Sequence, residues 1–195
     1  MHVEPFSREE LLARLRETRL MGFDGARVYE RATLQVEAFD PDDLTPAQRY
    51  VLMPGVRRIL ELRETLDVDI FALDGGLHLH TEDEVIPFIP PVVERSTEPD
   101  GRTVWLINDG IHRVYAAHVA GSPINVVTVD GASHPYYALA ASWDVVVELE
   151  ELPDNFQKKA YRVPENYKAL FRDFNAVFPG VQQERKRSNP AHLAR

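Results

Sequence analysis

The sequence predicts an α+β fold, built as a small mixed sheet with packed helices and a C-terminal helical extension. Three observations support this fold class. A capping box opens a helix near the N-terminus, an alternating run follows it as a strand, and residues 102–130 have the pattern of a strand, a helix and a second strand. A chain of 195 residues is long enough for one well-buried domain and short for two.

The N-terminal residues predict a helix followed by a strand. Ser7 stands three residues before Glu10, which is the spacing of a capping box, and leucines at helical spacing come next. Residues 8–20 are therefore predicted to be helical. Residues 28–39 alternate between apolar and polar side chains, which predicts a half-buried strand.

Prolines and glycines organise the next part of the chain. Thr45 followed by Pro46 predicts the start of a helix over residues 46–66, interrupted at Pro54-Gly55. Residues 70–80 resemble two short strands around a glycine-rich hairpin turn. Three prolines within residues 85–93 exclude a central strand, so we expect an edge strand or an extended wall there.

The central part of the chain predicts a strand–helix–strand unit. Residues 102–107 are rich in strand-forming side chains, residues 111–120 form a mostly apolar helix, and residues 124–129 form a further strand. Two more elements are predicted towards the C-terminus: a strand over 144–149 and a helix over 165–177.

Composition narrows the classes of function. The chain has no cysteine, which excludes disulfides, thiol nucleophiles and thiolate metal sites. No segment has the run of about 18 apolar residues that a membrane span needs. The N-terminus also lacks the features of a secretory signal. We therefore expect a cytoplasmic protein with no membrane contact.

The charge is unevenly distributed along the chain. Residues 1–157 contain 13 Lys and Arg against 28 Asp and Glu, whereas residues 158–195 contain 9 against 3. An acidic body is a poor surface for a phosphate polymer. Any nucleic-acid contact is therefore expected at the basic tail, through Arg185, Lys186 and Arg187, unless that run is only a solvated tail.

The candidate chemistry concentrates at the turn from Asn108 to Arg113. A strand that enters a helix here leaves the first helical N–H groups unpaired, which favours an anion. Gly110 permits close approach, Arg113 can fork onto phosphate oxygens, and His112 can donate a proton or a hydrogen bond. Asp109 would repel a phosphate, so it caps the helix, binds a bridging Mg²⁺, or accepts a proton from an attacking hydroxyl.

The run Asp109-Gly110-Ile111-His112-Arg113 resembles the signature turn of the ParB/sulfiredoxin superfamily, in an Asp-Gly-x-His-Arg form. The resemblance covers about residues 85–130. It implies a ParB/sulfiredoxin-like domain over residues 1–160, followed by a C-terminal helix and basic tail over 161–195. It also implies that the turn holds the phosphates of a nucleotide, with Asn108, Gly110, Ile111, His112 and Arg113 as the binding residues. We expect ATP or CTP with Mg²⁺, and Asp109 is the candidate metal ligand.

Departures from the superfamily pattern narrow the choice of branch. Sulfiredoxins have a cysteine directly after the signature glycine, where this chain has Ile111, so sulfinic-acid reduction is excluded. Chromosome-partitioning ParB proteins continue into a helix-turn-helix, which the residues after Gly131 are too few to form convincingly. The turn most resembles a branch that includes free-serine kinases and DNA-modification regulators.

Two hypotheses of function follow from this resemblance. The first is nucleotide binding with Mg²⁺-dependent hydrolysis or phosphoryl transfer, with Asp109, His112 and Glu82 as the candidate catalytic residues. Asp109 and the cluster Glu82-Asp83-Glu84 both remain candidates for the activating carboxylate. The second is a non-catalytic regulatory or DNA-associated module that uses the same fold and the basic tail.

Two further patterns have a functional and a structural interpretation. His78 and His80 lie on the same face of a strand and could hold Zn²⁺ or Fe²⁺ if Glu82 joined them, but alternation in an edge hairpin also explains them. Residues 158–162 and 167–175 mix basic and aromatic side chains that could stack bases and pair with phosphates, with Lys168 and Arg172 as possible contacts. Core packing explains the second segment as well.

Overall fold

The computed structural model describes residues 2–82 and 84–181, and over these residues it has the expected α+β fold. The strands are β1 (His2–Phe6), β2 (Thr33–Phe39), β3 (Tyr50–Leu52), β4 (Gly76–His80), β5 (Val85–Phe88), β6 (Val92–Thr97), β7 (Thr103–Asp109), β8 (Ile124–Asp130) and β9 (Val147–Leu149). The α-helices are α1 (Arg8–Arg16), α2 (Met53–Thr65), α3 (Ile111–Val119) and α4 (Phe174–Val177). None of these helices is long and apolar enough to span a membrane.

A four-stranded mixed sheet carries the candidate site. Its strand order is β2-β8-β6-β7, with β6 and β8 parallel and the other neighbours antiparallel. β6 and β8 lie in the middle and are mostly buried, as expected where a sheet is covered on both faces. The other strands form an antiparallel β1-β4-β5 sheet and a parallel β3-β9 pair, where the sequence predicted one sheet.

The predicted strand–helix–strand unit is confirmed as β7, α3 and β8. β7 continues to Asp109, two residues further than predicted, so the signature turn begins at the very end of the strand. The apolar residues of α3, among them Val114 and Ala117, pack in the same core cluster as Val56 of α2. In the sheet, β6 lies between β7 and β8, so the helix connects two strands that are not neighbours.

The first helix begins as predicted and ends four residues early. The Ser7 side chain accepts a hydrogen bond from the Glu10 N–H at 3.2 Å. After Arg16 the chain pairs its backbone with residues 26–28 instead, which ends the helix. The predicted strand over 28–39 begins only at Thr33, because residues 28–32 form a turn.

The second helix, in contrast to the first, begins later than predicted. It starts at Met53, so Pro54 lies in its first turn instead of interrupting it. A proline has no N–H, and the first turn of a helix is the place where that N–H has no partner. Residues 50–52 form β3, which pairs with β9 within the strand predicted over 144–149.

The hairpin predicted over residues 70–80 is wrong. Only Gly76–His80 forms a strand, which pairs with β1 on one side and β5 on the other. β5 lies at a sheet edge, as its proline predicts. The wall predicted over residues 85–93 is split, because its last two residues begin the central strand β6.

The continuous helix predicted over residues 165–177 is also wrong. The structure has a 3₁₀ turn at Tyr167–Leu170 and the short α4, and Phe171 between them has an extended backbone. This break allows Arg172 to turn into the protein interior, where it is 4% exposed. Residues after the break, including Phe174 and Phe178, pack into the same core cluster as Leu11 of α1.

Arg172 and Glu94 form a bidentate ion pair inside the protein. The Nε and Nη2 groups of Arg172 each donate to a Glu94 carboxylate oxygen at 2.8 Å. Its remaining N–H groups donate at 2.6–3.1 Å to three backbone carbonyls, those of His134, Pro135 and Leu170. Burial has the largest single effect and lowers the pKa of Arg172, but the Glu94 charge, the nearby tyrosines and the hydrogen bonds to Glu94 together outweigh it, so the net direction is upward. Arg172 is therefore not an exposed contact for a polyanion.

Replacement of Arg172 by methionine is expected to lower the free energy of unfolding by about 3–5 kcal/mol, because it leaves the Glu94 carboxylate buried without its charged partner. Arg95→Met is the matched control, since Arg95 follows Glu94 in β6 and forms an exposed pair with Asp130 of β8. A loss under about 1 kcal/mol is expected there. Urea unfolding of the two variants measures the difference, and equal losses would contradict this prediction.

Candidate functional site

Two adjoining clefts lie at the N-terminal end of α3. The first has a volume of about 210 Å³ and is lined by Gln48, Ile107, Asn108, Asp109, Gly110, Ile111, His112, Tyr137 and Lys159. The second has the same volume and is lined by Asn108, Tyr136, Tyr137, Phe171 and Arg172. Asn108 and Tyr137 line both clefts, so the two lie side by side.

Gly110 shapes the turn that enters α3. Its φ of 90° is in the left-handed region, and a Cβ at this position would lie 2.8 Å from Arg113 Nη2 and 2.9 Å from Pro91 Cβ. Only glycine fits such a position without strain. Gly110 is also the N-cap residue, and within the described part of the chain no side chain caps α3. Of the three roles predicted for Asp109, capping of the helix is therefore wrong, and the first N–H groups of the helix lack a partner among the described side chains.

Asp109 and Arg113 form a close ion pair on the inner side of the turn. The Arg113 Nη2 group donates to the Asp109 carboxylate, and Nη1 donates to the backbone carbonyl of Ile89. The two side chains are only 13% and 11% exposed. Arg113 thus neutralises the charge of Asp109, and its guanidinium group packs closely against Gly110.

His112 links the turn to the start of α2. Its Nε2 atom accepts a hydrogen bond from the Leu52 N–H at 2.9 Å. Because a backbone N–H can only donate, Nε2 is unprotonated and the ring proton is on Nδ1. Burial lowers the pKa of His112 below its ordinary value of 6.5, and the Arg113 charge lowers it further. The Asp109 charge opposes this shift but is the smallest of the three effects. His112 is therefore neutral at pH 7.

Asn108 connects the turn to the buried ion pair. Its Nδ2 group donates to Glu94 Oε1 at 2.5 Å and to the Tyr29 hydroxyl at 2.6 Å. Tyr29 in turn donates to Glu94. Burial and the Glu94 charge raise the pKa of Tyr29 well above its ordinary value. The backbone carbonyl of Asn108 accepts a hydrogen bond from the Tyr136 hydroxyl at 3.2 Å. Hydrogen bonds therefore hold both the side chain and the backbone of Asn108.

Lys159 brings a positive charge to the first cleft. Its Nζ group donates to the Tyr137 hydroxyl and, at 3.3 Å, to the Tyr136 hydroxyl, and it lies 4.5 Å from the centre of the Tyr137 ring. No carboxylate of the described residues forms an ion pair with it. Sequence reasoning did not assign Lys159 to the site, although the basic and aromatic composition of residues 158–162 was a signal.

Other residues that the sequence singled out lie away from these clefts. Glu82 is exposed in the turn after β4 and lines neither cleft. His78 packs on Phe6 with ring centres 4.8 Å apart, and His80 pairs with Glu4. Within residues 2–82 and 84–181, no three metal-binding side chains lie together. Asp83 and the basic run Arg185, Lys186 and Arg187 lie outside the described residues.

An NMR titration tests the state of His112. The ring resonance of His112 is identified by its absence in the His112→Gln variant. It is expected to titrate below pH 6.5, with the proton on Nδ1 in the neutral form. As the pH falls through 6.5, the unfolded chain takes up a proton that the folded protein does not, so the free energy of unfolding falls. His112→Gln should lose less stability over that range. Titration above pH 6.5 would contradict the geometry.

Comparison with known proteins places the chain in a family. The family model described as the ParB CE domain matches residues 10–147, and no curated protein matches. One similar solved structure, protein Atu1540 from Agrobacterium tumefaciens, is 18% identical with a TM-score of 0.31, over 63% of this chain and 44% of that one. The ParB resemblance is confirmed, and the narrower Asp-Gly-x-His-Arg branch stays a prediction. The chain belongs to the ParB CE domain family.

Proposed function

We propose that the first cleft binds the phosphate groups of a nucleotide. The observation that carries this proposal is that Lys159, a cation without a described carboxylate partner, lines the same cleft as the uncapped end of α3. A helix N-terminus and an ammonium group both favour negative charge, and a charge-assisted hydrogen bond is among the stronger polar contacts.

Each residue of the turn has a distinct part in this proposal. Gly110 lets the backbone approach the ligand, and the N–H groups of Ile111 and His112 donate to phosphate oxygens. Arg113 is already bound to Asp109 and to the Ile89 carbonyl, so it holds the turn in shape instead of forking onto the phosphate. The same pair reduces the repulsion between Asp109 and an anion.

Mg²⁺ with ATP or CTP is the ligand pair that the proposal includes. Mg²⁺ in nucleotide sites is usually held by one or two carboxylates together with the phosphates. Asp109 is the one carboxylate among the described residues that line the clefts, so it is the residue that would meet the metal. Hydrolysis or phosphoryl transfer would depend on the same carboxylate. Formation of ADP or CDP measures either reaction, and release of inorganic phosphate measures hydrolysis alone.

Replacement of Lys159 by methionine is expected to weaken binding of ATP or CTP about 10-fold or more, because a hydrogen bond to a charged group contributes about 1.5–3 kcal/mol. Isothermal titration calorimetry with Mg²⁺ measures the affinity. Lys168→Met is the matched control, since Lys168 is exposed and lines neither cleft, and it should bind as the wild-type protein does.

The proposal fails if no nucleotide raises the melting temperature of the wild-type protein, since a ligand that binds only the folded state must stabilise it. It also fails if both lysine variants bind with unchanged affinity.

A further inference from the structure

We propose that the second cleft holds the flat base of the nucleotide whose phosphates lie at Gly110. This inference rests on the proposed function, because it assumes that the phosphates bind in the first cleft. The adjacency of the two clefts is the first support: Asn108 and Tyr137 line both, and each cleft has a volume of about 210 Å³. Together they reach the roughly 300–1,000 Å³ of a small-molecule site.

Charge decides which part of a nucleotide lies in which cleft. The cation of the second cleft, Arg172, has all its N–H groups bound, to Glu94 and to three carbonyls. An arginine has five such donors, so none is left for a phosphate, and Glu94 already balances its charge. Lys159 lines the first cleft only. The phosphates therefore fit the first cleft, and an uncharged group fits the second.

Aromatic side chains make the second cleft suitable for a planar group. Phe171 and Tyr137 meet edge to face with ring centres 4.6 Å apart, and Tyr137 lies 4.3 Å from Tyr136. Both Phe171 and Tyr137 are only partly buried, so their rings retain accessible surface. Bases stack on such rings with little dependence on sequence.

A further ring packs against Phe171 and restricts its movement. Tyr167 packs against Phe171 with ring centres 5.6 Å apart, and it stacks on Tyr161 at 3.9 Å. A surface held in its bound shape loses little conformational freedom on binding. Phe171 lies outside the residues 10–147 that the family model matches, so this contact is a feature of the chain beyond the matched domain.

Affinities for nucleotides and for inorganic triphosphate test the inference. Phe171→Leu removes the ring and keeps an apolar side chain. We expect it to weaken binding of ATP or CTP about 10-fold, in line with the stacking energies found for bases, and to leave binding of triphosphate unchanged. Phe171→Tyr keeps a ring and should bind nucleotides as the wild-type protein does. Phe156→Leu is the matched control, because Phe156 is partly buried and lines neither cleft.

The outcomes separate this inference from the function on which it rests. Binding of triphosphate with equal nucleotide affinity in wild type and Phe171→Leu overturns the base subsite and leaves the phosphate site standing. Failure of the wild-type protein to bind either ligand overturns both. A Phe171→Leu variant that loses triphosphate as well, or a Phe171→Tyr variant that does not restore nucleotide affinity, also counts against stacking on this ring.

Discussion

The buried ion pair between Glu94 and Arg172 is the interaction on which the arrangement of this site depends. Removal of two charges from water is costly, and such a pair is tolerated only when its remaining donors and acceptors are satisfied. Here Glu94 accepts from Arg172, Tyr29 and Asn108, and the other donors of Arg172 reach backbone carbonyls. The pair thereby joins the central strand β6, the end of β7 and the C-terminal segment.

This connection explains how two parts of the chain form one site. The turn at Gly110 lies within the ParB CE domain match, whereas Lys159 and Phe171 come after it. Arg172 follows Phe171 directly, so the ion pair that holds Arg172 also fixes the adjacent ring beside the turn. Asn108 donates a hydrogen bond to Glu94, so the ion pair also fixes the end of β7 just before α3 begins. The matched domain contributes the turn, and the segment after it contributes a cation and an aromatic ring.

Local signals in the sequence predicted local features well. The cap at Ser7, the helix α3 and the strand β8 each follow from a few neighbouring residues. Partners distant along the chain were not predictable in this way. Arg172 had the spacing of a helical surface residue, yet it lies inside the protein because the backbone is extended at Phe171. Arg113 had the position expected of a phosphate ligand, yet it is bound to Asp109 and to the Ile89 carbonyl. The order of residues along the chain does not show which acceptor a guanidinium group will bind.

A crystal structure with a non-hydrolysable ATP or CTP analogue and Mg²⁺ tests the central claim most directly. The account predicts phosphate oxygens within hydrogen-bonding distance of the Ile111 and His112 N–H groups and of Lys159 Nζ, with the Asp109–Arg113 pair intact. Phosphates bound elsewhere on the protein, or a nucleotide held by Arg113 after its separation from Asp109, would contradict it.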